Sequence, residues 1–186
     1  MEKQNSVKFI LGITFKLILI SVITALTLSC VNALTADKIA ENAAAEKAEA
    51  IASIFPESDQ SEAADPTPEV VTALYLVYSN GEALGYAAEV APLGFGGELT
   101  VMVGVNADGT IKGVKLISHS ETPGLGSRVG EAEYLAQYAG KNGAALAGGV
   151  DVIAGSTVSS NAIRAGVESA LSIYELVYPM LEGGAK

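Results

Sequence analysis

Four hydroxyl side chains crowd one short stretch of the sequence, DVIAGSTVSSNAI (151–163), where an apolar run meets a predicted helix. They belong to Ser156, Thr157, Ser159 and Ser160. Hydroxyls at such a junction ordinarily cap the helix, and Ser159 with Ser160 would suffice for that. The same geometry also suits an anion, because backbone N–H groups at a helix N-terminus stabilise a phosphate. The residues alone leave both interpretations open, a capped turn and a phosphate site whose hydroxyl bonds to phosphorus.

Two glycine-rich segments upstream could contribute to the same chemistry. HSETPGLGSR (119–128) is a polar loop that follows a predicted strand. His119 there is either a half-exposed strand end or a ligand contact, and Arg128 either contacts a ligand or pairs with a nearby glutamate. LGFGG (93–97) is either a flexible turn or a place where a ligand approaches the backbone closely.

Several common functions are disfavoured by what the chain does not contain. No lysine follows the Gly155 turn as a Walker A loop requires, and no G-x-S-x-G elbow is present. The single cysteine, Cys30, and single histidine make a protein-ligated transition metal or iron–sulfur cluster improbable. A net charge of −10 without a basic patch argues against a nucleic-acid partner.

Turn signals predict two β-hairpins, with Asn80-Gly81 in the first turn and Asp108-Gly109 in the second. After these four strands we expect a short helix over 130–142, a strand over 146–153 and one long helix over 159–180. The long helix has an apolar stripe, formed by Ile163, Val167, Leu171, Tyr174 and Tyr178. The predicted class is α+β, an antiparallel sheet built from hairpins with helices on one face.

The N-terminal part reads as a membrane anchor. Residues 9–28 are apolar except for Lys16, and a helix of twenty residues spans about 30 Å, the thickness of a bilayer core. The run is longer than a cleaved signal peptide needs, and lysines precede it, so we expect an uncleaved anchor with its N-terminus in the cytoplasm. The predicted organisation is a cytoplasmic N-terminus and anchor (1–34), a helical stalk and acidic, proline-containing linker (35–69), and an extracytoplasmic domain (70–186).

The anchor together with SHSETPGLGSRV and DVIAGSTVSSNAI resembles the FMN-binding domain family. Within it, the resemblance is greatest to the G subunits of Rnf complexes, membrane ferredoxin:NAD⁺ oxidoreductases that pump Na⁺ or H⁺. The C subunits of Na⁺-translocating NADH:quinone reductases share both motifs. The resemblance implies an electron-transfer subunit with covalent FMN in the cell membrane. It also implies partners, namely the other membrane and peripheral subunits of the complex and a flavin transferase that attaches the FMN.

The family pattern assigns roles to residues of both motifs. Thr157 is the implied attachment residue, joined to FMN through a phosphodiester, with Ser156 and Ser159 as alternative acceptors. Ala154 departs from the family, which usually has a hydroxyl there. The implied cofactor-binding residues are His119, Glu121, Thr122, Pro123, Gly124, Leu125, Gly126, Asp151, Gly155, Ser156, Thr157 and Val158.

Two other functions would use the same pocket. One is a stand-alone exported electron carrier that binds FMN. The other is a non-redox exported module that binds a phosphate-bearing ligand without covalent flavin.

Overall fold

The computed structural model describes residues 2–65, 70–147 and 149–183. These residues divide into two compact units, Met1–Ala45 and Glu46–Lys186. The predicted boundaries, after residues 34 and 69, differ from this division because residues 46–65 belong to the second unit. Residues 66–69 of the predicted linker lie outside the described part.

The first unit is helical. It belongs to α1 (Glu2–Ile54), whose part from Phe9 to Ile54 contains a window long and apolar enough to cross a membrane. The apolar side chains from Phe9 to Leu34 are exposed. Threonines at 24, 27 and 35 donate their hydroxyls to carbonyls one turn earlier, which satisfies these polar groups within the helix itself.

The second unit is built on a five-stranded antiparallel sheet whose strands are neighbours in chain order. The strands are β1 (Gln60–Ala63), β2 (Ala73–Ser79), β3 (Glu82–Val90), β4 (Leu99–Asn106) and β5 (Ile111–His119). Both predicted hairpins are confirmed: Asn80 and Gly81 have positive φ between β2 and β3, and Gly109 turns the chain into β5. The edge strand β1 lies where a loop was expected.

Helices complete the unit after β5. They are a 3₁₀ turn (Gly126–Gly130), α2 (Ala132–Ala136), α3 (Gly143–Ala147), α4 (Thr157–Ser172) and α5 (Tyr174–Gly183). The predicted long helix is therefore two helices that break at Ile173. This break turns Tyr178 outward and buries Val177 and Leu181 instead.

The strand expected over 146–153 is wrong. Its first residues end α3, and residues 149–153 form no strand. Side chains bind two of the backbone amides there. The Asp151 N–H donates to Gln137 Oε1 (2.8 Å), and the Ile153 N–H donates to Ser160 Oγ (3.2 Å). These bonds satisfy the backbone without a partner strand.

Alternation along the strands gives the sheet two apolar faces, each covered by helix. Residues such as Leu74, Val103 and Val105 face α4 and α5 in the larger core cluster. Tyr86 crosses this core and donates its hydroxyl to the Ala170 carbonyl of α4 (2.8 Å). Its burial raises the pKa of the Tyr86 phenol.

The other face meets the last turns of α1. Ile54 and Phe55 pack there against Val77, Ala87 and Met102, and Gly104 leaves the room they occupy. The α+β class is confirmed. The expectation of helices on one face only is wrong, because the C-terminal end of α1 supplies a second layer.

Candidate functional site

A cleft opens where the loop after β5 meets the N-terminus of α4. Its cavity volume is about 240 Å³. Three segments line it: LGFGG, the 121–126 loop, and the turn into α4. The lining residues are Phe95, Glu121, Thr122, Leu125, Gly126, Gly155, Ser156, Thr157, Val158 and Ser159.

Helix α4 begins at this cleft with unpaired backbone donors. Ser156 is the N-cap, but its side chain makes no capping hydrogen bond. Among the described residues, the N–H groups of Thr157, Val158 and Ser159 have no hydrogen-bond acceptor. These are the donors that the first turn of a helix always leaves free. The Thr157 side chain is exposed beside them.

The capping prediction for Ser159 and Ser160 is wrong. Both side chains lie inside the first turns of α4 and are buried. Ser160 holds the Ile153 amide, so it fixes the approach to the helix and does not cap it.

The two motifs are joined by a direct hydrogen bond. The Ser156 hydroxyl donates to the Leu125 carbonyl (2.7 Å), although the two residues are far apart in sequence. Gly155 precedes it at φ +83°, a conformation that favours glycine, and a Cβ there would lie 3.2 Å from Leu125 Cδ1. The glycine and the serine therefore bring the 121–126 loop against the start of α4.

The 121–126 loop uses some of its own donors. The Leu125 N–H donates to the Thr122 carbonyl (3.2 Å), and the Gly124 N–H donates to Ser127 Oγ (2.9 Å). Among the described residues, the amides of Thr122 and Gly126 make no such bond. Leu125 itself is 47% exposed at the edge of the cleft. The loop thus has two amides without acceptors and one half-exposed apolar side chain at the cleft.

Among the described residues that line the cleft, only Glu121 is charged, and it is 5% exposed. Its Oε1 accepts hydrogen bonds from the Phe95 N–H (2.8 Å) and the Gly96 N–H (3.1 Å). Its Oε2 is buried and has no hydrogen-bond partner. A Cβ at Gly94 or Gly126 would collide with this carboxylate, so the chain packs around it without room for a side chain.

Eight of the twelve predicted residues line the cleft. Four do not: His119, Pro123, Gly124 and Asp151. His119 ends β5 and accepts the Glu121 N–H at its Nδ1 (3.2 Å), an exposed strand-end position. Asp151 lies in a neighbouring depression with Arg128, Gln137 and Glu131.

Arg128 has a partner of its own. Its Nε lies 3.7 Å from Glu131 Oε1, and both side chains are about half exposed. Of the two roles considered for Arg128, the structure has the pairing with a nearby glutamate.

Phe95 lines the cleft and was not predicted as a site residue. It lies in the LGFGG segment, whose role the sequence left open. The glycines on either side of it do approach something closely, but that group is the chain's own Glu121 and Ser120. The sequence feature that could have indicated Phe95 as a site residue is a large apolar side chain between glycines in a loop.

The segment that forms this cleft matches a known family. Residues 94–172 match the FMN-binding domain, which defines the class of protein. The G subunit of the Na⁺-translocating ferredoxin:NAD⁺ oxidoreductase complex of Acetobacterium woodii is 31% identical, with 94% of this chain and 98% of that protein aligned. The G subunit of the ion-translocating oxidoreductase complex of Cereibacter sphaeroides is 29% identical over 84% of this chain and 80% of its own.

The chain therefore belongs to the family of G subunits of ion-translocating oxidoreductase complexes. Among solved structures, Shewanella oneidensis NqrC has the same fold. The TM-score is 0.51 at 19% identity, over 69% of this chain and 73% of that one.

Proposed function

We propose that this protein is the electron-transfer subunit of a membrane ferredoxin:NAD⁺ oxidoreductase complex that pumps Na⁺ or H⁺. It carries FMN joined to Thr157 by a phosphodiester. The observation that carries the proposal is the exposed Thr157 at the start of α4, beside three backbone N–H groups that have no acceptor among the described residues.

The start of α4 fits the phosphate end of FMN. Three free amides and the positive end of a 16-residue helix complement the negative charge of a phosphodiester. Gly155 has no side chain, so nothing at that position shields the Thr157 backbone from a bulky group. Because Thr157 is exposed, a flavin transferase can reach its side chain.

The rest of the cleft fits a flat ring. Leu125 and Val158 present apolar surface there, and the amides of Thr122 and Gly126 are available to polar ring atoms. FMN, when bound, supplies one-electron and two-electron transfer. The chain's own work is to hold the phosphate, orient the ring and set the charge around it, which requires no acid–base residue.

The N-terminal helix supports a location in the cell membrane. Phe9–Ile54 includes an apolar stretch sufficient for one membrane crossing. With lysines before that stretch and acidic residues after it, the positive-inside rule puts the FMN-binding domain outside the cytoplasm. A covalent bond then keeps FMN at a high effective concentration where released FMN would be diluted. The names of the relatives support partner subunits in a complex.

The test is in-gel flavin fluorescence after denaturation. Protein made with a flavin transferase should give a fluorescent band, and protein made without it should not. Thr157→Ala should abolish the fluorescence, whereas Ser159→Ala, a matched loss of a nearby hydroxyl, should retain it. A dark band in the presence of the transferase would overturn the covalent assignment and leave a site that binds FMN or another phosphate-bearing ligand without a covalent bond.

Membership of a complex is tested separately. Affinity purification of the tagged protein from its own membranes should recover other integral-membrane subunits together with it. Recovery of the flavoprotein alone, in a detergent that preserves membrane complexes, would favour the stand-alone carrier.

A further inference from the structure

The LGFGG segment forms a third wall of the cleft, and Glu121 joins it to the 121–126 loop. We propose that Phe95 packs against the isoalloxazine ring of FMN, and that Glu121 is the positioning residue that holds Phe95 there. The proposal rests on the proposed function and adds two residue roles to it.

Phe95 is held in place by its backbone while its side chain is uncovered. The Phe95 N–H donates to Glu121, and the flanking Gly94 N–H donates to the Gly97 carbonyl (2.8 Å). The ring is nevertheless 77% exposed. A large apolar side chain fixed beside a cleft leaves apolar surface in water that a ligand would cover.

The buried Glu121 carboxylate fixes the backbone of Phe95. Glu121 is 95% buried, and one of its oxygens accepts both the Phe95 and the Gly96 amides. Side chains at Gly94 or Gly126 would displace that carboxylate. The segment is therefore a packed part of the site, fastened to the same loop that presents Leu125.

The occupant that fits is an aromatic ring tethered at Thr157. Phe95, Leu125 and Val158 are the large exposed apolar side chains that line the cleft, and the free amides of α4 lie at the same cleft. A phosphate bonded to Thr157 fixes one end of FMN there, so its ring lies within reach of Phe95. Aromatic rings in contact prefer offset-stacked or edge-to-face arrangements, and the exposed phenyl group of Phe95 leaves room for either.

The test uses tryptophan as a proximity reporter. An indole in contact with a flavin quenches its emission, because it gives an electron to the excited ring and receives it back without light. Phe95→Trp should therefore lower the native flavin emission several-fold, and Phe95→Tyr should lower it as well.

Leu93→Trp is the matched control. Leu93 is 74% exposed and two residues away, but it lies in a different depression, with Val90 and Pro92. Its variant should retain the native emission of the unaltered protein. Equal native emission from Phe95→Trp and the unaltered protein would overturn the contact.

Denaturation separates this proposal from the proposed function. In urea all variants should emit equally, since covalent FMN stays attached while the indole moves away. Flavin present in urea with no native quenching would overturn the Phe95 contact alone. Absence of flavin from every denatured sample would overturn the proposed function and this proposal with it.

The role of Glu121 is tested with double variants that combine Phe95→Trp with a substitution of Glu121. Adding Glu121→Ala should restore most of the native emission, because the two amides lose their acceptor. Adding Glu121→Gln should keep the quenching, because a side-chain oxygen remains to accept them. Equal quenching in both double variants would contradict the positioning role.

Discussion

Two buried glutamates, on opposite faces of the same domain, show how differently this fold uses a carboxylate. Glu89 of β3 is 4% exposed and lies 2.8 Å from the ammonium of Lys47 near the end of α1. Glu121 is 5% exposed, accepts two backbone amides and faces no cation in the described part of the chain.

The two carboxylates differ in what offsets the cost of their burial. Burying a carboxylate costs free energy that a cation or several hydrogen bonds must offset. At Glu89 the lysine does so, and the pair fastens α1 to the sheet. The Glu89 Oε2 has no hydrogen-bond partner, but the Lys47 ammonium lies 2.8 Å from it. At Glu121 one oxygen is satisfied by the backbone, and the other, beside a cleft, has neither a hydrogen-bond partner nor a cation in the described part of the chain. A buried carboxylate that has no cation and lies at the edge of a cleft is therefore a candidate site residue.

The largest effect should come from removing the cation of Glu89. Lys47→Met keeps the length of the side chain but leaves a buried carboxylate unpaired. We expect a loss of about 3 kcal/mol in the free energy of unfolding, at the low end for a broken buried pair because Lys47 is partly exposed. Thermal unfolding of the full-length protein in detergent measures it, with Lys38→Met as the exposed control. Equal midpoints for the two variants would show that the Glu89 pair contributes nothing.

A smaller and local effect is expected at Glu121. Glu121→Ala removes the acceptor of two amides, which should cost about 2 kcal/mol locally, or roughly 30-fold faster hydrogen exchange at Phe95 and Gly96. Glu121→Gln should retain most of the protection. Exchange of the peptide that contains these amides, followed by mass spectrometry, measures both variants. Faster exchange in Glu89→Ala at the same amides would mean that the two carboxylates are not independent.

The smallest effect is a dependence of stability on alkaline pH. The Glu89 carboxylate, 2.8 Å from the Lys47 ammonium, raises the pKa of Lys47 above the ordinary 10.5. The ion pair therefore contributes its full stabilisation below pH 10.5 and loses it as the pH rises through the higher folded pKa.

Lys47→Arg supplies the control, because arginine stays charged over that range. The thermal midpoint of the unaltered protein should fall more than that of Lys47→Arg above pH 10.5. Parallel declines would show that the titration of Lys47 is not responsible.

The sequence specified those parts of the fold whose signals are local. Asn80-Gly81 and Asp108-Gly109 require positive φ, so both hairpins could be located from residue types alone. The hydroxyl cluster and the ETPGLG loop likewise identified the two segments that meet at the cleft.

What the sequence did not specify depends on tertiary contacts. Strand β1 is exposed along its length and has no apolar alternation to reveal it. The chain over 150–153 is apolar like a strand, but Gln137 and Ser160 bind its amides. The sequence predicts that the turns of α1 near Ile54 belong to the stalk. In the structure they pack on the sheet, in the space that Gly104 of β4 leaves. Phe95 lies in the wall of the cleft, where Glu121, distant in sequence, accepts its amide.

Peptide mass spectrometry tests the central claim most directly. Trypsin cleaves after Lys141 and Arg164, and so releases residues 142–164 with all four hydroxyls of the opening stretch on one peptide. From protein matured with a flavin transferase, this peptide should carry the mass of FMN less one water, and its fragment ions should place that mass on Thr157. An unmodified peptide, or FMN on Ser156 or Ser159, would contradict the account.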